Sequence, residues 1–263
     1  MTVRSPSPSV FRPTQGVDRS VLEENKKLIA DINRRKILRG TLSLGALTML
    51  TGCSVGDSGP IQSFLRAVSS FNDGVQEMLF RPNHLAPTFR EDQVAKPPRF
   101  NAYYEIEDVK PVDGATWKLE LAGLIENKKP WTAEELYKLP EQEIIIRHIC
   151  VEGWDYIGQW EGVNLGQFLK RIGADTTAKY VSFKCADDYT ETLDMATALH
   201  PQTILATKYA HEPIRDPFGF PLRLRTATKL GFKNAKWITA MEVTNTFLPT
   251  YWTKQGFNWF AGI

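Results

Sequence analysis

The feature that most limits how this chain can fold is the spacing of its apolar runs beyond Phe100, which are short, arrive singly and are never joined by long helical stretches. Trp117, Leu119 and Leu121 alternate with Lys118 and Glu120, the pattern of a half-buried strand. Thr132 followed by Glu135 is a capping box, predicting a helix that ends near Pro140. The Ile144-Ile145-Ile146 run predicts a buried strand that delivers Arg147, His148 and Cys150. Asn164 to Ile172, stopped by Gly173, reads as a helix, and Lys179 to Cys185 as a strand. Ile204–Tyr209, Leu222–Arg225 and Trp237–Val243 complete a strand-rich set. Strands without regular crossover helices predict an α+β domain rather than a doubly wound sheet.

The first 52 residues differ from the rest in charge. They carry nine Lys/Arg against four Asp/Glu, whereas residues 53–263 carry 23 against 26. The basic surplus belongs to the leader, so the body gives no reason to expect nucleic-acid binding. Arg34-Arg35-Lys36-Ile37-Leu38-Arg39 precedes thirteen uncharged residues and then Cys53. Thirteen helical residues reach about 20 Å, short of a ~30 Å hydrocarbon core. This is a signal-peptide design, and the paired arginines fit a twin-arginine address for proteins exported folded. Leu50-Thr51-Gly52-Cys53 resembles a lipobox, which places a lipid on Cys53. The expected organisation is a twin-arginine signal segment (1–52), a helical arm and linker (53–99) and a main domain (100–263). The arm rests on Ile61, Phe64, Leu65, Val68, Phe71, Val75, Met78 and Leu79, spaced as in an amphipathic helix between Pro60 and Pro82.

Three segments can carry chemistry. Arg147-His148-Ile149-Cys150-Val151-Glu152-Gly153-Trp154 sets a thiol at a strand end among imidazole, guanidinium and carboxylate groups, where a neighbouring cation favours the thiolate. Its alternatives are a buried structural cysteine or a disulfide with Cys185. No CxxC or HxxxH spacing accompanies Cys150 to suggest zinc. The stretch Pro217–Met241 holds Arg223, Arg225, Lys229, Lys233 and Lys236 without one acidic residue, which suits an anionic ligand such as a phosphate. A solvated basic strand is the alternative, but Phe220, Leu222, Leu224, Leu230, Phe232 and Trp237 alternate with the cations and argue for burial. Phe100-Asn101-Ala102-Tyr103-Tyr104-Glu105 offers amide, phenol and carboxylate groups to a heterocycle, or forms an ordinary aromatic strand.

Together the three resemble the molybdopterin-dependent oxidoreductases of the sulfite oxidase fold. Cys150-Val151-Glu152-Gly153-Trp154 matches the family's metal-ligating C-V-E-x-W motif. Gly219-Phe220-Pro221-Leu222-Arg223 and Gly231-Phe232-Lys233-Asn234-Ala235-Lys236 match its pterin and phosphate motifs, and Asn101, Tyr104 and Glu105 its upstream N-x-x-Y-E. Cys185 falls where the chain lies against the cofactor. Phe218 stands where the family often has Asn or His, and Ala102 where its sulfoxide reductases tend to have a second Asn.

The resemblance implies a sulfite-oxidase-type domain holding Mo-molybdopterin. Cys150 would be the metal ligand and Cys150, Glu152 and Tyr104 the catalytic groups. Asn101, Tyr104, Glu105, Cys185, Arg223, Lys233, Asn234, Ala235 and Lys236 would bind the cofactor. It further implies oxygen-atom transfer at a sulfoxide or similar S- or N-oxide, closest to the exported bacterial methionine sulfoxide reductases. Electrons would come from a membrane b-type cytochrome or a soluble periplasmic one, since the chain has no C-x-x-C-H haem motif. A monomer in the periplasm is expected. Sulfite dehydrogenase and a silent lipid-anchored binding protein are the alternatives.

Overall fold

A computed structural model describes residues 59–263. The twin-arginine segment, the lipobox and Cys53 lie outside the described residues. The chain divides into two compact units, Met1–Phe64 and Leu65–Ile263. Of the first, only the start of helix α1 (Gly59–Leu79) is described.

The second unit is an α+β fold of two five-stranded sheets. The first sheet is formed by β1 (Lys118–Gly123), β2 (Trp131–Thr132), β5 (Tyr180–Cys185), β6 (Thr190–Asp194) and β10 (Ile238–Thr244), in the order β2-β1-β10-β5-β6. The second is formed by β3 (Gln142–Ile149), β4 (Asp155–Asn164), β7 (Thr203–Tyr209) and β8 (Glu212–Pro213) in chain order, with β9 (Arg223–Thr226) on β7. Only β1 and β10 pair in parallel; the other pairs are antiparallel. Such pairs need no crossover helix, so the helices between strands stay short: α2 (Ala133–Tyr137), α3 (Leu165–Arg171), α4 (Met195–Ala198) and, after β10, α5 (Tyr251–Lys254).

The local signals hold. Leu119 and Leu121 of β1 are buried while Lys118 and Glu120 are exposed. The Glu135 amide donates to Thr132 Oγ1 at 3.2 Å and the Thr132 amide to Glu135 Oε2 at 3.0 Å, closing the capping box of α2. Gly173 (φ +67°) ends α3. The segment Phe100–Glu105 is irregular rather than a strand.

Two buried clusters divide the interior. One gathers Leu119, Leu136, Phe168, Val181, Phe183, Leu193, Met241 and Val243 with Leu222 and Leu224. The other surrounds Trp160 with Ile144, Ile146, Ile204 and Tyr209. The chain passes from the second sheet to the first between β9 and β10, so that passage runs through the interior. This is why its cations are buried.

Helix α1 is amphipathic in an unusual sense. Asp73 is buried and accepts the Phe260 amide at 3.1 Å, and Gln76 accepts the Gly262 amide at 3.1 Å. Leu65, Val68, Phe71, Met78 and Leu79 are exposed. Among the described residues no helix is long and apolar enough to cross a membrane.

Candidate active site

Four segments meet at a cleft of about 410 Å³: residues 99–105, the turn after β3, the β5–β6 turn, and the passage from β9 to β10, joined by Trp252 and Phe257. Cys150 lies in its wall, just beyond β3. The Cys150 amide donates to the Trp154 carbonyl at 2.9 Å and the Gly153 amide to the Cys150 carbonyl at 3.1 Å. Gly153 turns the chain with φ +87°, a left-handed conformation that favours glycine. Glu152 folds back, taking the Trp154 indole N–H at 2.8 Å and standing 3.9 Å from the thiol.

The flanking groups behave differently from the thiolate expectation. Successive strand residues face opposite sides, so Arg147 points outward to Asp155 (2.6 Å) and His148 inward. His148 Nδ1 takes an N–H from Arg225 Nη1 at 2.8 Å, which leaves the ring proton on Nε2. Burial, Arg225, Arg223 and Lys236 hold the imidazole well below its usual range, and therefore neutral. Burial pushes the Cys150 thiol up, against the Glu152 and Val151 amides and Arg99, which pull it down. Its own neighbours do not ionise it; a metal does so by coordination. Cys150 and Cys185 are both free thiols, which removes the disulfide alternative.

The cationic passage is the other half of the site. Arg223 and Arg225 are 2% and 0% exposed, so the solvated-strand alternative falls. Both guanidinium groups stack over Trp160, at 4.3 and 5.0 Å. Arg223 donates one bond, from Nη1 to the Phe218 carbonyl at 2.7 Å, while its Nε and Nη2 are buried without partners, as is Arg225 Nε. Lys236 lines the cleft against Phe100 and Trp237 (4.3 and 4.1 Å), and its buried Nζ has no hydrogen-bond partner. Burial pushes Arg223 down to about 9, and burial with Arg223 pushes Lys236 well below the usual lysine range. Buried charges are ordinarily paired. These three have no carboxylate ion pair among the described residues; Lys236 lines the cleft while Arg223 and Arg225 lie outside its lining, and the unpartnered donors fit an anionic tail such as a pterin phosphate.

The remaining residues singled out from the sequence divide. Asn101, Tyr104, Glu105, Glu152, Asn234 and Ala235 line the cleft. Asn234 presents mainly its backbone, since its side chain accepts the Thr226 amide (2.8 Å) and donates to the Leu230 and Gly231 carbonyls. Lys233 is held elsewhere: Nζ meets buried Glu191 at 2.5 Å and the Thr192 carbonyl at 2.6 Å. Cys185 is buried outside the cleft lining, its amide bonded to the Tyr189 carbonyl. Phe218, at a position the family often fills with a polar side chain, contributes its carbonyl to Arg223.

Sequence reasoning missed Asp187, Arg99, Trp252 and Phe257, all in the cleft wall, and took Tyr103 only as part of its segment. Tyr104 Oη donates to Asp187 Oδ2 at 2.9 Å across 83 positions, which no local pattern announces. Gly231 was legible as part of a motif but not for its reason. A Cβ there would lie 2.5 Å from His148 Nε2.

A two-sheet α+β fold whose cleft sets a thiol beside a buried cationic cradle defines a protein built around a large anionic group. The comparisons specify which one. The oxidoreductase molybdopterin-binding domain matches residues 106–252, and the chain belongs to that family. It is a molybdopterin-dependent oxidoreductase, and its cofactor is Mo-molybdopterin. It is 50% identical over 229 residues, 87% of either chain, to Azospira oryzae YedZ1, named as a protein-methionine-sulfoxide reductase subunit. It is 32% identical over 177 residues to the catalytic subunit MsrP of Xanthomonas campestris, covering 58% of this chain and 55% of that one. To MsrP of Gluconobacter oxydans it is 27% identical over 250 residues, 85% and 73% of the two chains.

Proposed function

We propose that this chain is the catalytic part of an exported reductase that removes oxygen from methionine sulfoxide. The observation that carries the reading is a strand-end thiol at Cys150 sharing one cleft with the unpartnered cation Lys236, with unpartnered Arg223 buried outside the cleft lining, in a chain half identical to a protein named for that activity. When bound, the molybdenum cofactor supplies two-electron oxygen-atom exchange with sulfur.

The chain's own residues bind and orient. Cys150 is the protein ligand to the metal. Arg223 and Lys236 neutralise the phosphate, with the Asn234–Ala235 backbone, Asn101, Glu105 and, behind the wall, Cys185 shaping the rest. Lys233 braces this loop through Glu191 rather than reaching the phosphate. Glu152 stands by the thiol to orient an incoming polar group, and Tyr104 handles protons. With no C-x-x-C-H haem motif in this sequence, an external cytochrome is taken as the one-electron donor. A twin-arginine leader suits a cofactor inserted before export, and a lipid on Cys53 would keep the monomer at the membrane.

The test is metal analysis and Mo(V) electron paramagnetic resonance on protein matured in a host that makes the pterin. Reduction of methionine sulfoxide by reduced viologen is then assayed against oxidation of sulfite by cytochrome c. One molybdenum per chain and sulfoxide turnover are expected. Sulfite turnover alone makes it a dehydrogenase, and a loaded but inert protein makes it a binding protein.

A further inference from the structure

We propose that Asp187 and Tyr104 form a two-member proton relay from solvent into the cleft, with Asp187 acting through Tyr104. This rests on the sulfoxide-reductase reading above. Asp187 sits on the β5–β6 turn, half-buried beside exposed Asp188, so its carboxylate stands between bulk water and the cleft. Oδ2 accepts the Tyr104 hydroxyl at 2.9 Å, and Oδ1 accepts the Tyr189 amide at 3.3 Å. The Asp187 carbonyl takes the Tyr103 hydroxyl at 2.6 Å. Tyr104 is held in turn by Trp237 (ring centroids 6.2 Å apart, planes at 25°) and by the edge of Tyr103 (4.9 Å, 87°). The phenol oxygen is thereby fixed on the cleft wall with its proton facing Asp187.

That geometry has a chemical consequence. An ionised carboxylate only accepts, so Tyr104 has no proton to offer the cleft while Asp187 is charged. Alone it is also a poor acid, because burial and the Asp187 charge push its ionisation far above the ordinary phenol range. Once Asp187 is protonated from solvent, its proton moves to the Tyr104 oxygen as the Tyr104 O–H proton leaves for the substrate oxygen. The phenol is never left as a phenolate. The overall change balances: the S–O bond breaks, two electrons arrive from the external one-electron donor by way of the cofactor, two protons pass down the relay, and the oxygen leaves as water. Tyr103, Tyr189, Cys185 and Lys236 are the other titratable groups facing Asp187, and Lys236 is the cation among them. Glu152 is the carboxylate near the thiol, and the Oε2 that stands 3.9 Å from the sulfur also accepts the Trp154 indole N–H.

The experiment compares holoenzyme variants. Asp187→Asn keeps an acceptor for the Tyr104 hydroxyl but has no proton to transfer; Asp187→Ala removes both. The relay requires both variants to lose kcat on the order of 10²-fold with KM and molybdenum content near those of the unmodified enzyme. It also requires a changed solvent deuterium isotope effect and partial rescue by small weak acids. In cofactor-free protein, ultraviolet titration should find Tyr104 ionising at lower pH in Asp187→Asn than in the unmodified chain, because a neighbouring negative charge is gone. Unimpaired sulfoxide turnover in Asp187→Asn overturns the relay, whether or not Asp187→Ala is slow. A loaded, unmodified enzyme that reduces no sulfoxide overturns the functional reading and the relay together, while the phenol titration still reports whether the two side chains touch.

Discussion

The turn at Cys150 and the passage from β9 to β10 share one site yet are built on opposite terms. The turn is satisfied: its amides are bonded, Glu152 is engaged by Trp154, and its thiol stays protonated until something coordinates it. Strand β9 and the passage after it are only partly satisfied: Lys229 and Lys233 pair with Asp194 and Glu191, but among the described residues Arg223, Arg225 and Lys236 are buried without an ion pair and with several unpartnered N–H groups. The same contrast recurs within three residues, since Lys233 is spent on Glu191 while Lys236 is not. Binding energy is therefore stored in the passage and chemistry is confined to the turn. The reacting end can stay small because the anchoring end pulls from a distance.

Breaking either side should have distinct signatures. The largest effect is expected from Cys150→Ser, which should abolish turnover and the Mo(V) signal while circular dichroism stays unchanged; full turnover would remove the thiol from the chemistry. Lys233→Met should leave Glu191 as an uncompensated buried charge and cost about 3–5 kcal/mol. A thermal melt would show this, with cofactor content per folded chain kept. Lys236→Glu should instead give folded, cofactor-poor protein, losing about 2–5 kcal/mol of anchoring, read by molybdenum and pterin assay. Normal loading there would sink the cradle.

A smaller effect has the opposite sign. Arg223→Met should raise the melting temperature of cofactor-free protein, because it removes an unpaired buried charge, while lowering its affinity for the cofactor. Smallest is a pH effect. Lys236 is held below its ordinary 10.5, so between its depressed value and 10.5 the unfolded chain binds a proton that the folded, cofactor-free chain does not. Stability should therefore rise with pH across that window. The rise should shrink in Lys236→Met, leaving what the depressed Lys229 and Arg223 contribute, and flatten further once the cofactor is bound.

Much of the fold was readable locally. Alternation at Trp117–Leu121, the capping box at Thr132 and Glu135, and the stop at Gly173 each depend on neighbours within a few positions, and each holds. The site was half readable. Motif spacing picked out Cys150, Glu152, Tyr104, Arg223 and Lys236, but it could not separate Lys236 from Lys233, because both are lysines in one basic run. Glu191, 42 positions away, makes the distinction. The apolar spacing of α1 was equally plain, yet it did not tell that Asp73 and Gln76 would face the domain while Phe71 and Met78 face out.

What the chain's own order of residues determined is the set of local elements and the presence of a thiol turn and an acid-free cationic stretch. Those depend on short-range sterics, capping and alternation, which act along a few residues. Tertiary structure alone decided which cations stay unpaired, that His148 is neutral and that Asp187 meets Tyr104. Pairing and burial are set by residues brought together across two sheets, and the free energy of a buried charge depends on what stands opposite it.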